Sequence, residues 1–358
     1  MRSKLVFPLS AELKTEMFAP AVWLPPPLGE GRGGGTTALI SVAALLLAMA
    51  IDCWLGEPPP RWHPVVWIGR YLGWIGRRIA PRAEMASRAC DLPRLVAGAA
   101  AWWGGAAMVF CAAWIVAAIA ERLPPWAAAV LIGLALKPLL AWRMLRDEVL
   151  AVEAALGRSL EEGRAQLARL VSRDVNELSE CEVRESAIES LAENLNDSLV
   201  APLFWFVLGG LPGAAIYRFA NTADAMWGYR GERAGRVWEW AGKWAARADD
   251  LLSWPPARLT ALVLLLCSLP LRGKAGVGAI RREADQTPSP NSGWPMAAMA
   301  MLLDVRLAKP GVYTLHAAGR AATSADTSRA VDLASRAVIA WAVCAAIAIA
   351  GLSAIGWP

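Results

Sequence analysis

The sequence is short of charge. Of its 358 residues, 19% are Asp, Glu, Lys or Arg, while 56% are hydrophobic; soluble domains hold roughly a quarter and a half. Histidine is nearly absent, with only His63 and His316. Tyrosine and phenylalanine are scarce, at 4 and 6. The six cysteines, Cys53, Cys90, Cys111, Cys181, Cys267 and Cys344, include no Cys-x-x-Cys pair. That argues against a zinc site or a disulfide framework. There is no G-x-x-x-x-G-K-[ST] phosphate loop, since the glycine-rich stretch Gly31–Thr37 has no Lys and follows no strand. G-x-S-x-G and H-E-x-x-H are also missing, which leaves nucleophilic Ser hydrolysis and zinc proteolysis without support.

Tryptophan, by contrast, is abundant, at 19 residues. Its ring favours the membrane–water interface, where the body is buried and the N–H stays wet. The net charge of +5 is carried mostly by Arg in loops between apolar runs. That placement suits membrane topology and not a nucleic-acid face. The fold class is therefore all-α: a polytopic integral membrane protein.

Residues 1–35 read as a variable, disordered tail, with Pro25–Pro27 and Gly33–Gly35 and no signal-peptide pattern. Residues 36–358 read as one membrane-embedded domain. Apolar runs at 37–54, 95–120, 126–142 and 334–355 are near the length that crosses ~30 Å of hydrocarbon. They look almost free of charge. Two further stretches are broken or short: 199–216 is interrupted by Gly209-Gly-Leu-Pro-Gly213, and 259–271 is ended by Pro270.

Arg61, Arg70, Arg77, Arg78, Arg82, Arg88 and Arg94 follow the first run. Arg143, Arg146, Arg158, Arg164, Arg169, Arg173 and Arg184 follow the third. The positive-inside rule puts both segments in the cytoplasm. Residues 217–258 are also basic, so a single crossing at 199–216 would break the rule. A re-entrant element there is the expectation, since broken backbone at membrane depth is tolerated where it lines a cavity.

Five segments could carry chemistry. The strongest is Ser172-Arg173-Asp174 followed by Glu189-Ser-Leu-Ala-Glu193-Asn194-Leu-Asn-Asp197. On a helix, Glu189, Glu193 and Asp197 share one face and repel, so either Mg²⁺ or Arg should offset them. The second is Tyr217-Arg218-Phe-Ala-Asn221-Thr222-Ala-Asp224 through Tyr229. Arg218 there could hold phosphate bidentately, while Asn221 or Thr222 could equally cap a helix start. The third is Arg247-Ala-Asp249-Asp250 with Pro256-Ala-Arg258, where the carboxylates serve a metal, a cap or a salt bridge. The fourth, Asp52 through Val65, includes Glu57, Arg61 and His63; a carboxylate at a helix C-terminus opposes the dipole. The fifth is Ser289-Pro290-Asn291-Ser-Gly293-Trp294-Pro295, a turn that would position Asn291.

In this order, these segments resemble the CobD/CbiB family of cobalamin biosynthesis proteins. The family pattern runs D-x-x-x-G-E-P, H-P-V, S-R-D, E-S-x-A-E-N-x-x-D, A-P-L-F, Y-R-x-x-N-T-x-D-x-M-x-G-Y, A-R-x-D-D, P-A-R and S-P-N-x-G-x-P. It stands here at Asp52–Pro58, His63–Val65, Ser172–Asp174, Glu189–Asp197, Ala201–Phe204, Tyr217–Tyr229, Ala246–Asp250, Pro256–Arg258 and Ser289–Pro295. The match covers about residues 40–320. It departs at Ser198, usually Gly, at Ala241-Gly242, usually Phe-Gly, and beyond Lys309, where it loosens.

The resemblance implies adenosylcobinamide-phosphate synthase activity. Such an enzyme joins adenosylcobyric acid to aminopropanol, or its O-phosphate, as an amide, with ATP consumed and Mg²⁺ required. It also implies a multi-pass place in the cell (inner) membrane, a cytoplasmic active site and other cobalamin-synthesis proteins as partners. On this reading the catalytic set is Glu189, Glu193, Asp197, Asp224, Asp249, Asp250 and His63, with Glu189, Glu193 and Asp197 as metal ligands. Substrate and phosphate contacts fall to Arg61, Arg173, Asn194, Arg218, Asn221, Thr222, Arg247, Arg258 and Asn291. Two competitors remain at this point: a Mg²⁺-dependent prenyl or phosphatidyl transferase, and an ion-coupled transporter.

Overall fold

A computed structural model describes residues 34–83, 91–268 and 276–356. Of the tail, 1–33 lies outside the described residues, as do Arg88, Cys90 and Pro270. Gly34 and Gly35 do not belong to a tail, because they open the first helix.

Among the described residues the protein is mostly helical. The helices are α1 (Gly34–Leu55), α2 (Pro64–Ile79), α3 (Leu92–Glu121), α4 (Pro125–Leu136), α5 (Trp142–Leu156), α6 (Leu160–Leu167), α7 (Glu180–Leu195), α8 (Ala201–Trp227), α9 (Lys243–Cys267), α10 (Val277–Ala284), α11 (Gly293–Leu303) and α12 (Ser324–Ala354). Two small antiparallel hairpins interrupt them: β1 (Glu232–Arg233) with β2 (Arg236–Val237), and β3 (Leu307–Lys309) with β4 (Tyr313–Leu315). Among the described residues, 6 helical stretches are long and apolar enough to cross a membrane: Gly34–Leu55, Leu92–Glu121, Pro125–Leu156, Glu180–Trp227, Lys243–Cys267 and Ser324–Ala354. Exposed Trp54, Trp62, Trp67 and Trp126 sit at or beside helix ends, as interface residues do.

Glu180–Trp227 is not one rod. A π-helical turn at Asn196–Val200 joins α7 to α8, and α8 breaks at Gly209 and Gly210. Gly210 takes φ 58° and ψ −155°, a conformation that only glycine adopts without strain. Beyond the break the chain turns back. The Gly213 backbone lies against the Trp205 carbonyl, where a Cβ would not fit. Tyr217, Arg218 and Asn221 reach Asp197 or Ser198. At 1.5 Å per residue, the limb 196–209 reaches about 20 Å, short of a ~30 Å core. The broken apolar segment thus folds back on itself as a helical hairpin.

The stretch 259–271 differs from expectation. Leu259 to Cys267 is the second half of α9, which begins at Lys243 and runs through Pro255-Pro256. The larger apolar core joins α1, α4, α5, α7, α9, α11 and α12 around the hairpin, while a second, Trp-rich core packs α2 and α3 on the end of α8.

Candidate functional site

The hairpin has one consequence that decides the site: carboxylates from four helical elements gather around one cavity. Glu193 comes from α7, Asp197 from the π-helical turn, Asp224 from α8, and Asp249 and Asp250 from α9. The cavity has a volume of about 760 Å³. Lys309, Arg230 and Arg247 stand on its wall, with Asn291 and Ser253.

Asp197 is the best-held of the carboxylates. Its Oδ1 accepts from Asn196 Nδ2 at 2.8 Å and from the Tyr217 hydroxyl at 3.4 Å, and its Oδ2 accepts from Asn221 Nδ2 at 3.2 Å. Asn221 Nδ2 is also 3.5 Å from Asp249 Oδ1, so one amide serves two acids. The Tyr217 hydroxyl meets Ser253 Oγ at 3.1 Å, and Thr260 Oγ1 donates to Asn196 Oδ1 at 3.0 Å. These bonds tie the π-helical turn to α8 and α9. Asp250 is 3.8 Å from Arg247. Among the described residues, the carboxylates of Glu193 and Asp224 have no hydrogen-bond or ion-pair partner. Like charges facing one partly closed cavity repel strongly where the dielectric is low, so a cationic ligand suits the arrangement.

The expected metal trio is not brought together. Glu189 Oε1 accepts from the Tyr313 hydroxyl at 2.6 Å, and its Oε2 is 3.4 Å from Arg173 Nη2. Its carboxylate is consumed by this pairing, and it does not line the cavity. The physical reason is tertiary: Tyr313 and Arg173 take up the Glu189 carboxylate, while Glu193 and Asp197 face the cavity. Among the described residues, no three His, Cys, Asp or Glu side chains stand close enough to enclose a metal ion by themselves. Mg²⁺ carried by a nucleotide needs only one or two carboxylates, phosphate oxygens filling the rest of its shell. The donor chemistry of Glu193 and Asp197 fits that demand.

Several other expected residues have different work. His63 caps α2, its Nδ1 accepting from Val65 N at 3.2 Å and its Nε2 meeting Glu57 at 2.9 Å. Arg61 is exposed, and its carbonyl accepts from Trp67 Nε1. Asn194 bonds back to Ser190, and Thr222 Oγ1 to the Arg218 carbonyl. Asn221 and Thr222 lie within α8 and do not start a helix. Arg218 donates to the Asp197 carbonyl at 3.3 Å and supports the turn from behind. Arg258 is held between the Trp254 and Trp294 rings and donates to Asn291 Oδ1 at 2.7 Å and the Pro290 carbonyl at 2.9 Å. It is a clamp on the cavity wall and not a free phosphate ligand. Asn291, as expected, is a positioning group: buried, it donates to the Asp250 carbonyl at 2.7 Å.

One buried charge lies outside every motif. Lys137 is 3% exposed inside an apolar run, with its Nζ 3.3 Å from Asp52 and 2.9 Å from Glu57. This pairing, with the Arg143 N–H donated to Asp52 at 3.0 Å, explains the carboxylate at the end of α1. Burial pushes the Glu57 carboxyl up, but hydrogen bonds from His63 and Lys137 outweigh it and hold the group below the usual carboxylate range. A lone Lys in an apolar run was the available signal. Lys309, Tyr313, Glu185, Arg230 and Ser253 carried no motif to mark them.

The family model described as CobD/Cbib protein matches residues 45–340. The chain belongs to the CobD/CbiB family. It is 39% identical over 329 residues to the cobalamin biosynthesis protein CobD of Chromobacterium violaceum, covering 88% of this chain and 98% of that one. It is 38% identical over 277 residues to the probable cobalamin biosynthesis protein CobD of Methanothermobacter thermautotrophicus, covering 76% and 86%. The CobD protein of Brucella anthropi is 36% identical over 307 residues, covering 80% and 90%. No solved structure gives a significant match. The CobD/CbiB match spans every carboxylate of the cavity, and it extends past Lys309, where the motifs loosen.

Proposed function

We propose that this protein is a membrane-embedded, amide-forming ligase of cobalamin biosynthesis. It joins adenosylcobyric acid to (R)-1-amino-2-propanol or its O-phosphate, consuming ATP. The observation that carries this reading is the cavity itself. Glu193, Asp197, Asp224 and Asp249 converge from four elements on a cavity that Lys309, Arg230 and Arg247 also line, in a chain of the CobD/CbiB family.

A free carboxylate does not accept an amine until it is activated. Its oxygen attacks the γ-phosphorus of ATP, ADP leaves, and an acyl phosphate forms. The amine nitrogen then attacks the acyl carbon and phosphate leaves with the C–O electron pair. Lys309, Arg230 and Arg247, which line the cavity, offset the phosphate charge. Asp224, whose carboxylate has no partner, takes the proton lost by the attacking nitrogen. Asp249 and Asp250 hold the field that favours an ammonium substrate in the cavity. Magnesium bound with the nucleotide supplies further charge neutralisation, and Glu193 and Asp197 would hold it. The basic residues Arg230, Arg233, Arg236 and Lys243 beside the cavity favour a cytoplasmic opening.

The test is to incubate membranes containing the protein with adenosylcobyric acid, ATP, Mg²⁺ and either amine, with its cognate partner proteins supplied. Amide product that depends on ATP is the expected result. No product with either amine would overturn the proposal.

A further inference from the structure

The acidic face of α7 is matched, one residue at a time, by the β3–β4 hairpin. Glu185, Glu189 and Glu193 are spaced by four and lie along one side of the helix. Glu185 is fully buried and is met by Arg306 Nη2, just before β3, at 3.3 Å. Glu189 accepts from the Tyr313 hydroxyl of β4 at 2.6 Å. Tyr313 is in turn the cross-strand partner of Lys309. Lys309 lines the acidic cavity with Glu193.

Two of the three matches are closed and the third is open. Among the described residues, the Lys309 ammonium has no ion-pair partner, and neither has the Glu193 carboxylate. Opposite charges left apart on one cavity wall fit a ligand that carries both signs: an anionic phosphate for the lysine and its counter-cation for the acid. Lysine is a compact point charge that suits phosphate. Lys309 is half-buried, so its charge is screened less than those of exposed Arg230 and Arg247. Burial and the neighbouring Glu189 push the Tyr313 phenol up, so it stays a donor in the anchor.

We propose that Lys309 binds a substrate phosphate group in the acidic cavity, and that the Tyr313–Glu189 hydrogen bond positions it by fixing the β3–β4 hairpin on α7. The inference rests on reading the cavity as the ligase site. Glu189 and Tyr313 are then positioning residues. The phosphate has two possible sources, the nucleotide and the phosphorylated amine, and the shared chemistry is a phosphate dianion.

The experiment measures direct binding of MgATP, and separately of aminopropanol O-phosphate, to the full chain in lipid nanodiscs. Lys309→Ala should weaken one of the two by about tenfold or more, the equivalent of one close charge contact, and the affected ligand names the source. Lys309→Arg should restore most of the affinity. Tyr313→Phe should raise the KM for that same ligand with kcat at saturation little changed. Lys309→Ala binding both ligands as tightly as the wild type would overturn the inference and leave the ligase reading standing. A wild-type protein that binds neither ligand would overturn both. A Tyr313→Phe variant that is less stable but keeps its KM would remove the positioning role.

Discussion

Asn221 donates its amide N–H to Asp197 Oδ2 across 3.2 Å, from one limb of a helical hairpin to the foot of the other. The two residues are joined by an apolar stretch of α8 that breaks at Gly209-Gly210 and folds back. Asp249 of α9 sits within 3.5 Å of the same amide. Asn221→Asp would put a third carboxylate between two others and delete the shared donor. Loss of one buried charge-assisted bond alone is worth about 1.5–3 kcal/mol. Thermal unfolding in detergent should show a clear drop in midpoint, and amide synthesis should stop. An unchanged midpoint would mean that the amide does not bridge the acids.

The hairpin also makes a topological prediction. Asn176, before α7, and Glu232, after α8, are both exposed. In a background lacking the six native cysteines, Asn176→Cys and Glu232→Cys should react with an impermeant maleimide from the same side of the membrane. Labelling from opposite sides would make 199–216 a true crossing.

The Asp52–Lys137–Glu57 cluster should behave as a buried ion network. Removing one partner of such a group leaves unpaired charge and costs about 3–5 kcal/mol. Lys137→Met is expected to be strongly destabilised, and Asp52→Asn added to it should recover part of the loss. The pH sign follows from Glu57, whose folded carboxyl lies below its unfolded value. Its contribution is present above the ordinary carboxylate range and is lost as pH falls through the depressed folded value. The stability gap between wild type and Glu57→Gln should therefore close on acidification; a gap independent of pH would contradict the assignment.

Arg258 gives a negative control for phosphate binding. Its guanidinium is occupied by Asn291, the Pro290 carbonyl and two Trp rings. Arg258→Lys should lower the unfolding midpoint, because a lysine reproduces neither the fork nor the stacking, while the KM for ATP stays within about twofold. A large rise in that KM with stability intact would return Arg258 to the phosphate site.

Much of this fold is written in apolar run lengths and Arg placement, which report the membrane directly. The break at Gly209-Gly210 was legible because Gly209-Gly-Leu-Pro-Gly213 interrupts an apolar run. What the sequence could not show was which face a carboxylate takes. Glu189, Glu193 and Asp197 look equivalent at a spacing of four. The contacts of Tyr313 and Arg173 with Glu189 separate it from the other two, and both are tertiary effects. Lys309 and Tyr313 were invisible for the same reason, since their meaning comes from a hairpin laid on α7. The apolar stretch from Leu259 looked short because its helix, α9, begins well before it at Lys243 and runs through Pro255-Pro256.

Turnover by Glu193→Gln tests the central claim most directly. The substitution keeps shape and removes the charge of a cavity carboxylate that has no partner to lose. The account predicts normal membrane insertion and unfolding midpoint, with ATP-dependent amide formation from adenosylcobyric acid reduced by at least about a hundredfold. Amide formation at the wild-type rate in a correctly inserted Glu193→Gln protein would contradict it, and the acidic cavity would not be the active site.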